Sequence, residues 1–192
     1  LSYKESLKIL KETDALLEGH FVLSSGLHSE KYVQCAKLLS KPKKAKEICL
    51  SLAEKIQKEY KNIDLILSPA IGGIVIGYEI GKILNLETIF AERVNNNFIL
   101  RRGFKINKGQ KVLIVEDVIT TGKSSLECVE LIKKSKAKLV GFACLIDRSE
   151  HKKIKYKVIS QVKLEIPIYN KSNLPHHLKK IPITKPGSRF LK

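Results

Sequence analysis

Apolar positions along the chain follow two alternating patterns. Runs rich in β-branched residues, which are typical of buried strands, lie at 63–68, 87–91, 112–115 and 138–146. Between these runs, apolar residues recur at helical spacing from Pro42 to about Tyr60, from 74 to 84 and again through 126–132. Strands that alternate with helices in this way predict an α/β fold, with a mostly parallel central sheet flanked by helices on both faces.

The segment that precedes this series predicts a helix and a hairpin. Ser2 and Glu5 have the spacing of a capping box, and leucines at 7, 10, 16 and 17 continue a helical pattern that predicts a first helix ending near Gly19. From there to Ser29, the residues predict a strand that breaks at a Gly/Ser turn, with a second short strand around 32–33.

Turn-forming residues mark two later segments. Three consecutive asparagines, 95–97, stand between apolar runs and predict a solvent-exposed hairpin or flap over 92–104. Residues 156–169 predict one or two more short strands, and Pro175 to His177 predict a turn.

Composition narrows the class of protein. The chain has 192 residues and a hydrophobic fraction of 43%, which suits one domain with a sizeable core. Its longest uncharged run, Leu65 to Tyr78, is too short for a membrane helix of about 20 residues, and no signal-peptide pattern opens the chain. Four scattered cysteines without a C-x-x-C pair predict reduced core thiols in a cytoplasmic protein.

A formal net charge of +17 raises the question of nucleic-acid binding. The lysines are spread along the chain, however, and few aromatic residues stand among them to stack on bases. Solvated lysine-rich faces are therefore the favoured interpretation, with no nucleic-acid partner. A positive field would still attract a polyanionic substrate.

The stretch from Lys111 to Ser124 carries the strongest functional signal. Its buried strand is followed by Glu116 and Asp117, at the sheet edge where α/β proteins bind ligands. A loop rich in hydroxyls then opens a helix, whose N-terminal N–H groups and dipole favour a phosphate. Gly122-Lys123-Ser124 does not complete a nucleotide-binding P-loop, because that motif needs glycine where Asp117 stands. A strand ending in solvated acids before a capped helix is the structural alternative.

The full pattern of four apolar residues, two acids, two apolar residues, two threonines and a glycine resembles the signature of the type I phosphoribosyltransferases. These enzymes bind 5-phosphoribosyl-1-diphosphate (PRPP), and the resemblance implies that the acids lie near the ribose and the loop holds the 5-phosphate. A Gly-rich turn at 69–73 corresponds to the diphosphate loop, although many relatives carry a lysine in place of Gly72. The implied PRPP-binding residues are Ala70, Gly72, Gly73, Arg93, Glu116, Asp117, Val118, Ile119, Thr120, Thr121, Gly122, Lys123 and Ser124.

The N-terminal pattern G-x-F-x-L-x-S-G-x-x-S, beginning at Gly19, resembles the orotate phosphoribosyltransferase family. In that family this element is a hood over the pyrimidine base. The resemblance implies orotate contacts from Thr120 and from Arg148, whose guanidinium suits a carboxylate. It also divides the single domain into a helix and hood segment at 1–40, a PRPP-binding core at 41–170 and a tail at 171–192.

The same resemblance implies that the flap at 92–104 is a mobile loop shared across a homodimer. It departs from the lysine- and histidine-bearing loop of many members, and Arg101 and Arg102 are candidates for the missing charge. The implied reaction moves the phosphoribosyl group of PRPP to orotate, giving orotidine 5′-monophosphate in pyrimidine synthesis. Mg²⁺ carried by PRPP, near Asp117, is the expected cofactor, and Asp117, Glu116 and Arg102 are the candidate catalytic residues.

Two alternatives remain open from sequence. A purine or other pyrimidine phosphoribosyltransferase would share the central motif but lack the hood pattern and Arg148 in its present context. A PRPP-sensing regulator on the same fold would bind nucleic acid and lack catalysis, although no recognisable nucleic-acid-binding module is appended to this chain.

Overall fold

The computed structural model describes residues 1–23, 25–149 and 154–186, which form two sheets with helices packed around the larger one. The helices are α1 (Tyr3–Glu12), α2 (Cys35–Leu39), α3 (Pro42–Glu59), α4 (Gly72–Leu84), α5 (Lys123–Lys134) and α6 (His176–Lys179), with a 3₁₀ turn at Lys171–Asn173. The strands are β1 (Leu16–Val22), β2 (His28–Val33), β3 (Leu65–Pro69), β4 (Glu87–Val94), β5 (Asn97–Leu100), β6 (Lys111–Ile119), β7 (Lys138–Asp147), β8 (Val158–Lys163), β9 (Ile168–Tyr169) and β10 (Ile183–Thr184).

The central sheet has the strand order β5-β4-β3-β6-β7-β8 and is parallel except for the β4–β5 hairpin. Alternate residues of β6 face opposite sides of the sheet. Leu113 and Val115 belong to the core cluster that contains α3 and α4, whereas Val112 and Ile114 belong to the cluster that contains α5. Helices therefore cover both faces, and the predicted α/β architecture is confirmed.

Strand β6 lies in the middle of this sheet, between β3 and β7. All four residues from Val112 to Val115 are fully buried. Burying a Val, Leu or Ile side chain stabilises a fold by about 1.5–3 kcal/mol, so this strand is a rigid support for the two acids that follow. The apolar pattern predicted that this strand ends at Val115. Instead, Val118 still pairs with Ile146 of β7, and the strand extends to Ile119.

The second sheet, here called the hood sheet, has the order β10-β1-β2-β9. It takes β1 and β2 from the N-terminal segment, as the predicted hairpin requires, and its outer strands come from much later in the chain. Two buried histidines lie within it: His20 Nε2 is 2.7 Å from His28 Nδ1, and His20 Nδ1 is 3.2 Å from the Ile181 carbonyl. Since that carbonyl can only accept, a neutral His20 donates through Nδ1 and accepts from His28 through Nε2.

The first helix ends earlier than predicted. The Thr13 hydroxyl donates to the Ile9 carbonyl at 2.7 Å, and Asp14 takes a left-handed conformation (φ 57°) that turns the chain out of the helix. Leu16 then pairs with Val33 in the hood sheet. The prediction of a helix to Gly19 was wrong because the leucines at 16 and 17 belong to a strand, in which the first is buried and the second only partly buried.

The other boundaries agree more closely with sequence. The long helix beginning at Pro42 and the hairpin turning at Asn95 and Asn96 are confirmed. The predicted turn at Pro175 to His177 was wrong, because Pro175 precedes the short helix α6. His177 Nε2 lies 2.8 Å from a Glu30 carboxylate oxygen, which joins this helix to β2.

All four cysteines are free and buried, as predicted for core thiols. Across 1–23, 25–149 and 154–186, no helix is at once long and apolar enough to cross a bilayer.

Candidate active site

Three loops meet at one edge of the central sheet, because β3, β6 and β7 are parallel neighbours whose carboxyl ends point the same way. The first leads from β3 into α4 through Ala70 and Ile71, whose peptide bond is cis. The second leads from β6 into α5, and the third begins with Arg148 at the end of β7. All three loops were predicted from sequence to carry binding residues.

Asp117 lies directly against the loop that opens α4. A Cβ atom added to Gly72 would stand 2.8 Å from Asp117 Oδ1 and 2.9 Å from Oδ2, so any larger residue would displace the carboxylate. Gly73 is similarly close to the backbone, with its added Cβ 3.1 Å from the Val115 carbonyl oxygen. Burial raises the pKa of Asp117, opposed by the hydrogen bond that its Oδ1 accepts from the Val118 N–H at 2.9 Å.

Glu116 points to the opposite face of β6, since neighbouring strand residues alternate. It is 8% exposed and accepts a short hydrogen bond from the Ser125 hydroxyl, in the first turn of α5. Burial raises its pKa to about 7, opposed by that hydrogen bond. The two acids predicted to bind the ribose are adjacent in sequence but contact different helices. Asp117 lies against the start of α4, and Glu116 is bonded to the first turn of α5.

The predicted phosphate loop forms a small cavity at the start of α5. Its lining comprises Glu116 and every residue from Val118 to Ser124. Gly122 occupies the N-cap position with φ +72° and gives no side-chain cap to the helix. A helix N-terminus without a side-chain cap has N–H groups available for an anion, as the sequence interpretation requires.

A larger cavity of about 510 Å³ adjoins this loop. It is lined by Thr120, Thr121, Arg148, Ser149 and the run from Lys163 to Ile168. The structure thus brings together Thr120 and Arg148, the two residues expected to contact the base. Within the described residues, the Arg148 Nε is buried and has no hydrogen-bond partner, and burial lowers the pKa of this guanidinium. As a residue of the cavity lining whose guanidinium only donates, Arg148 is a candidate partner for an anionic or carbonyl acceptor there.

Two parts of this cavity were missed from sequence. Ser149 follows Arg148 directly, so its place at a strand end was a usable signal. The 163–168 segment gave no sequence signal of a binding role, because the pairing of β8 with β7 is what brings it to the cavity.

The flap arginines are paired with carboxylates of their own chain. Arg93 lies 2.7 Å from Glu127 of α5 and stacks over the Phe98 ring, 4.2 Å from its centroid. Arg102 and Arg101 both contact Glu92, at 2.7 and 3.3 Å. In this arrangement, Arg101 and Arg102 are held along the hairpin and Arg93 is held against α5.

Comparison with known proteins agrees with this geometry. Residues 36–180 match the phosphoribosyl transferase domain family. The chain therefore belongs to the phosphoribosyl transferase family.

Its curated relatives place it more narrowly. The chain is 48% identical over 189 residues to the orotate phosphoribosyltransferase of Parvibaculum lavamentivorans, covering 96% of this chain and 97% of that protein. It is 47% identical over 187 residues to the orotate phosphoribosyltransferase of Caldicellulosiruptor saccharolyticus, with 97% of each chain covered. Within its family, the chain thus falls among the orotate phosphoribosyltransferases.

Solved structures share the fold. The crystal structure of orotate phosphoribosyltransferase from Aeropyrum pernix has a TM-score of 0.70 at 24% identity, covering 82% of this chain and 93% of that one. Adenine phosphoribosyltransferase from Thermoanaerobacter pseudethanolicus has a TM-score of 0.61 at 19% identity, covering 70% of this chain and 88% of that one. The fold is therefore common to enzymes named for a pyrimidine and for a purine base.

Proposed function

We propose that this protein transfers the phosphoribosyl group of PRPP to N1 of orotate, giving orotidine 5′-monophosphate and diphosphate in pyrimidine nucleotide synthesis. The family and its curated relatives support this activity. The observation that carries it is the buried Arg148 Nε, which has no hydrogen-bond partner among the described residues and belongs to an arginine lining the cavity beside the phosphate loop. Orotate is an anion with a carboxylate and ring carbonyls, which are the acceptors that a guanidinium binds well.

The reaction needs no nucleophile from the protein. A bond forms between orotate N1 and the ribose C1′, the bond from C1′ to the diphosphate oxygen breaks, and the N1 proton leaves. The sugar gains positive charge as the diphosphate departs, so positioning and electrostatics are the expected sources of rate.

Each part of the site has a role in this scheme. The 118–124 loop would hold the 5-phosphate at the α5 N-terminus, and the loop at Ala70 to Gly73 would present backbone N–H groups to the diphosphate. Glu116 and Asp117 would accept hydrogen bonds from the ribose hydroxyls. Arg93, Arg101 and Arg102 would act on the diphosphate only after leaving the glutamates that hold them here.

Mg²⁺ fits this donor set as a companion of PRPP. Among the residues that the structure describes, there is no cluster of three or more His, Cys, Asp or Glu side chains able to hold a metal. Mg²⁺ commonly binds through one or two carboxylates plus substrate phosphates, and Asp117 offers such a carboxylate beside the diphosphate loop. When bound, the ion would offset charge on the leaving diphosphate.

We further propose a cytoplasmic homodimer in which the flap of one subunit serves the site of the other. Ile71, the N-cap residue of α4, is 87% exposed, and Val75 and Tyr78 continue the helical spacing within α4 at 51% and 66% exposure. An apolar stripe of this kind beside a binding loop supports an interface between copies of the chain. The buried free thiols support a reducing compartment.

The test is the loss of orotate absorbance in the presence of PRPP and Mg²⁺, with uracil, adenine and hypoxanthine assayed in parallel. Turnover of orotate alone is the expected result. Turnover of another base alone would contradict the assignment of the cavity to orotate while keeping the class of reaction. No turnover with any base would contradict the proposed activity and favour a PRPP-sensing regulator.

A further inference from the structure

One carboxylate on α5, that of Glu127, lies between the flap and the phosphate loop. Its Oε2 is 2.7 Å from Arg93 Nη2, and its Oε1 is 4.0 Å from Lys123 Nζ. Arg93 belongs to the β4 arm of the flap, whereas Lys123 is the first residue of α5 and lines the cavity of the phosphate loop. The same acid is therefore near two cations that are both expected to bind PRPP.

The Arg93 guanidinium is held on three sides. Besides its contact with Glu127, its Nη1 donates to the Asn96 carbonyl at 2.6 Å, and its Cζ lies 4.2 Å from the centroid of the Phe98 ring. The Arg93 side chain is 35% exposed, whereas the other two flap arginines are more than half exposed. Water therefore screens the pair of Arg93 and Glu127 less than it screens the other ion pairs of the flap.

Apolar packing holds the hairpin on α5 independently of this ion pair. Phe98 of β5 is buried in the same core cluster as Cys128, Val129 and Ile132 of α5. Arg93 can therefore leave Glu127 by rotation of its own side chain, without separation of β5 from the helix. Such rotations take picoseconds to nanoseconds in exposed residues, so the contact can open and close while the flap stays folded.

The phosphate groups of PRPP compete with Glu127 for these cations. A cation paired with the carboxylate must leave it before it can bind a phosphate oxygen. Only the fraction of molecules with Arg93 released is then ready to use that cation, and the apparent affinity for PRPP falls by the same fraction. The carboxylate thus opposes the binding of the polyanion, although it makes no contact with the substrate itself.

We propose that Glu127 is a positioning residue that holds Arg93, and more weakly Lys123, in a resting arrangement and thereby lowers the affinity for PRPP. When PRPP binds, its phosphates replace the carboxylate as the partners of these cations. The inference rests on the proposed function, because it takes PRPP as the polyanion. It assigns a role to an acid that lies outside the predicted binding residues.

The test is Glu127→Gln, which keeps the size of the side chain and removes its charge. The dissociation constant of PRPP with Mg²⁺ is measured by titration calorimetry, and steady-state rates give kcat and both Michaelis constants. Since a partly exposed ion pair is weak, both constants for PRPP should fall by about 2- to 5-fold. Both kcat and the Michaelis constant for orotate should change little. A general loss of packing would instead raise the constants for PRPP.

Two further variants separate this contact from the effect of charge alone. Glu130→Gln removes an equal charge from the same helix, but Glu130 is paired with Lys133, so PRPP binding should stay close to normal. In an Arg93→Ala background, Glu127→Gln should lose most of its effect, because the main partner of the carboxylate is absent.

The inference is overturned if Glu127→Gln leaves PRPP binding unchanged or weakens it. Equal tightening in Glu130→Gln would assign the effect to the overall charge of the helix, and an undiminished gain in the Arg93→Ala background would show that Glu127 does not act through Arg93. If the unaltered protein binds no PRPP, the proposed function fails together with this inference. Normal PRPP binding without tightening in Glu127→Gln would overturn this inference alone.

Discussion

The cavity lined by Arg148 and the flap at 92–104 differ in the contacts that their arginines make. In the cavity, Arg148 has a buried Nε without a partner among the described residues, and the turn around it is held by four hydrogen bonds from Arg148, Ser149 and Leu164. In the flap, Arg101 and Arg102 share the Glu92 carboxylate, and Arg93 is paired with Glu127. Arg148 thus keeps an unused donor, whereas the flap arginines must leave their glutamates before they can bind a ligand.

The cost of releasing the flap is small. The Arg101 and Arg102 side chains are 55% and 61% exposed, and exposed ion pairs contribute at most about 1 kcal/mol. A diphosphate with several charges can compete with one glutamate for these guanidinium groups. The difference between the two regions therefore suggests that the base side is organised before substrate binds and the diphosphate side is completed by it.

The largest expected effect comes from Asp117, the acid that lies against the loop opening α4. Asp117→Asn keeps the size of the side chain but removes the charge beside the developing positive ribose. We expect kcat to fall by about 10²- to 10³-fold, as for the loss of other transition-state contacts. Steady-state rates and the melting temperature are measured beside Glu54→Gln, an exposed acid on α3. A kcat close to that of the control would remove Asp117 from the mechanism.

Gly72→Ala tests how closely that carboxylate is placed. The new methyl would stand 2.8 Å from Asp117 Oδ1 and push the carboxylate aside, so kcat/KM for PRPP should fall by about 10²-fold with little change in melting temperature. In an Asp117→Asn background, the same change should cost much less, because its target is already impaired. Full additivity in the double variant would show that Gly72 acts independently of Asp117.

Arg148→Ala addresses the cavity side alone. Loss of a hydrogen bond from a charged group corresponds to about 1.5–3 kcal/mol, so the Michaelis constant for orotate should rise by roughly 10- to 150-fold. The constant for PRPP should change far less, because the phosphate loop is intact. An orotate constant equal to that of the unaltered enzyme would contradict the assignment of this arginine to the base.

Arg102→Ala addresses the flap, where a smaller effect is expected. Loss of one exposed cation should lower kcat/KM for PRPP by about tenfold. If the flap works across subunits, mixing this variant with Asp117→Asn should restore roughly a quarter of the normal activity, because half of the dimers then contain one complete site. Activity no higher than the mean of the two separate variants would argue that each flap serves its own chain.

The smallest expected effect is a change in the pH profile. Burial raises the pKa of Glu116 to about 7, so in the free enzyme its carboxylate should ionise near neutral pH. If that carboxylate binds the ribose, kcat/KM for PRPP should rise by a few-fold through pH 7. This rise in kcat/KM should be absent in Glu116→Gln. Both proteins are measured with the same substrate, so that any titration of PRPP itself affects them equally. If the rise in kcat/KM persists in the variant, another titrating group causes it.

The same shift has a consequence for stability, with a definite sign. The folded protein holds the Glu116 proton more tightly than the unfolded chain, whose usual pKa is 4.5. Its contribution to stability is therefore lost as pH rises from about 4.5 to about 7. Glu116→Gln should raise the melting temperature more at pH 8 than at pH 5, as a thermal unfolding series would show. An equal change at both values would contradict the raised pKa.

Sequence predicted the parts of this molecule that depend on local pattern. The alternation of strands and helices, the hairpin at the asparagines and the loop from β6 into α5 follow from spacing and turn chemistry. The end of β6 was missed because it is set by pairing with β7, and the overlong first helix reflects leucines that suit a helix or a strand equally. For the candidate site, sequence singled out Thr120 and Arg148, which the structure brings to one cavity. It did not indicate the 163–168 segment of the cavity lining or the pairing of Arg93 with Glu127, since both depend on contacts between distant segments.

The hood sheet joins residues that the ribosome synthesises at very different times. His20 is paired with Ile183 across β1 and β10, so this sheet gains its outer strand only after residue 184 has left the ribosome. The core strand β6 and its neighbour β3 can pair much earlier, when the chain has grown to about residue 119. Contacts between such distant residues form slowly because long loops must close first. During translation, the nascent chain can therefore form the centre of the main sheet before the hood sheet is complete.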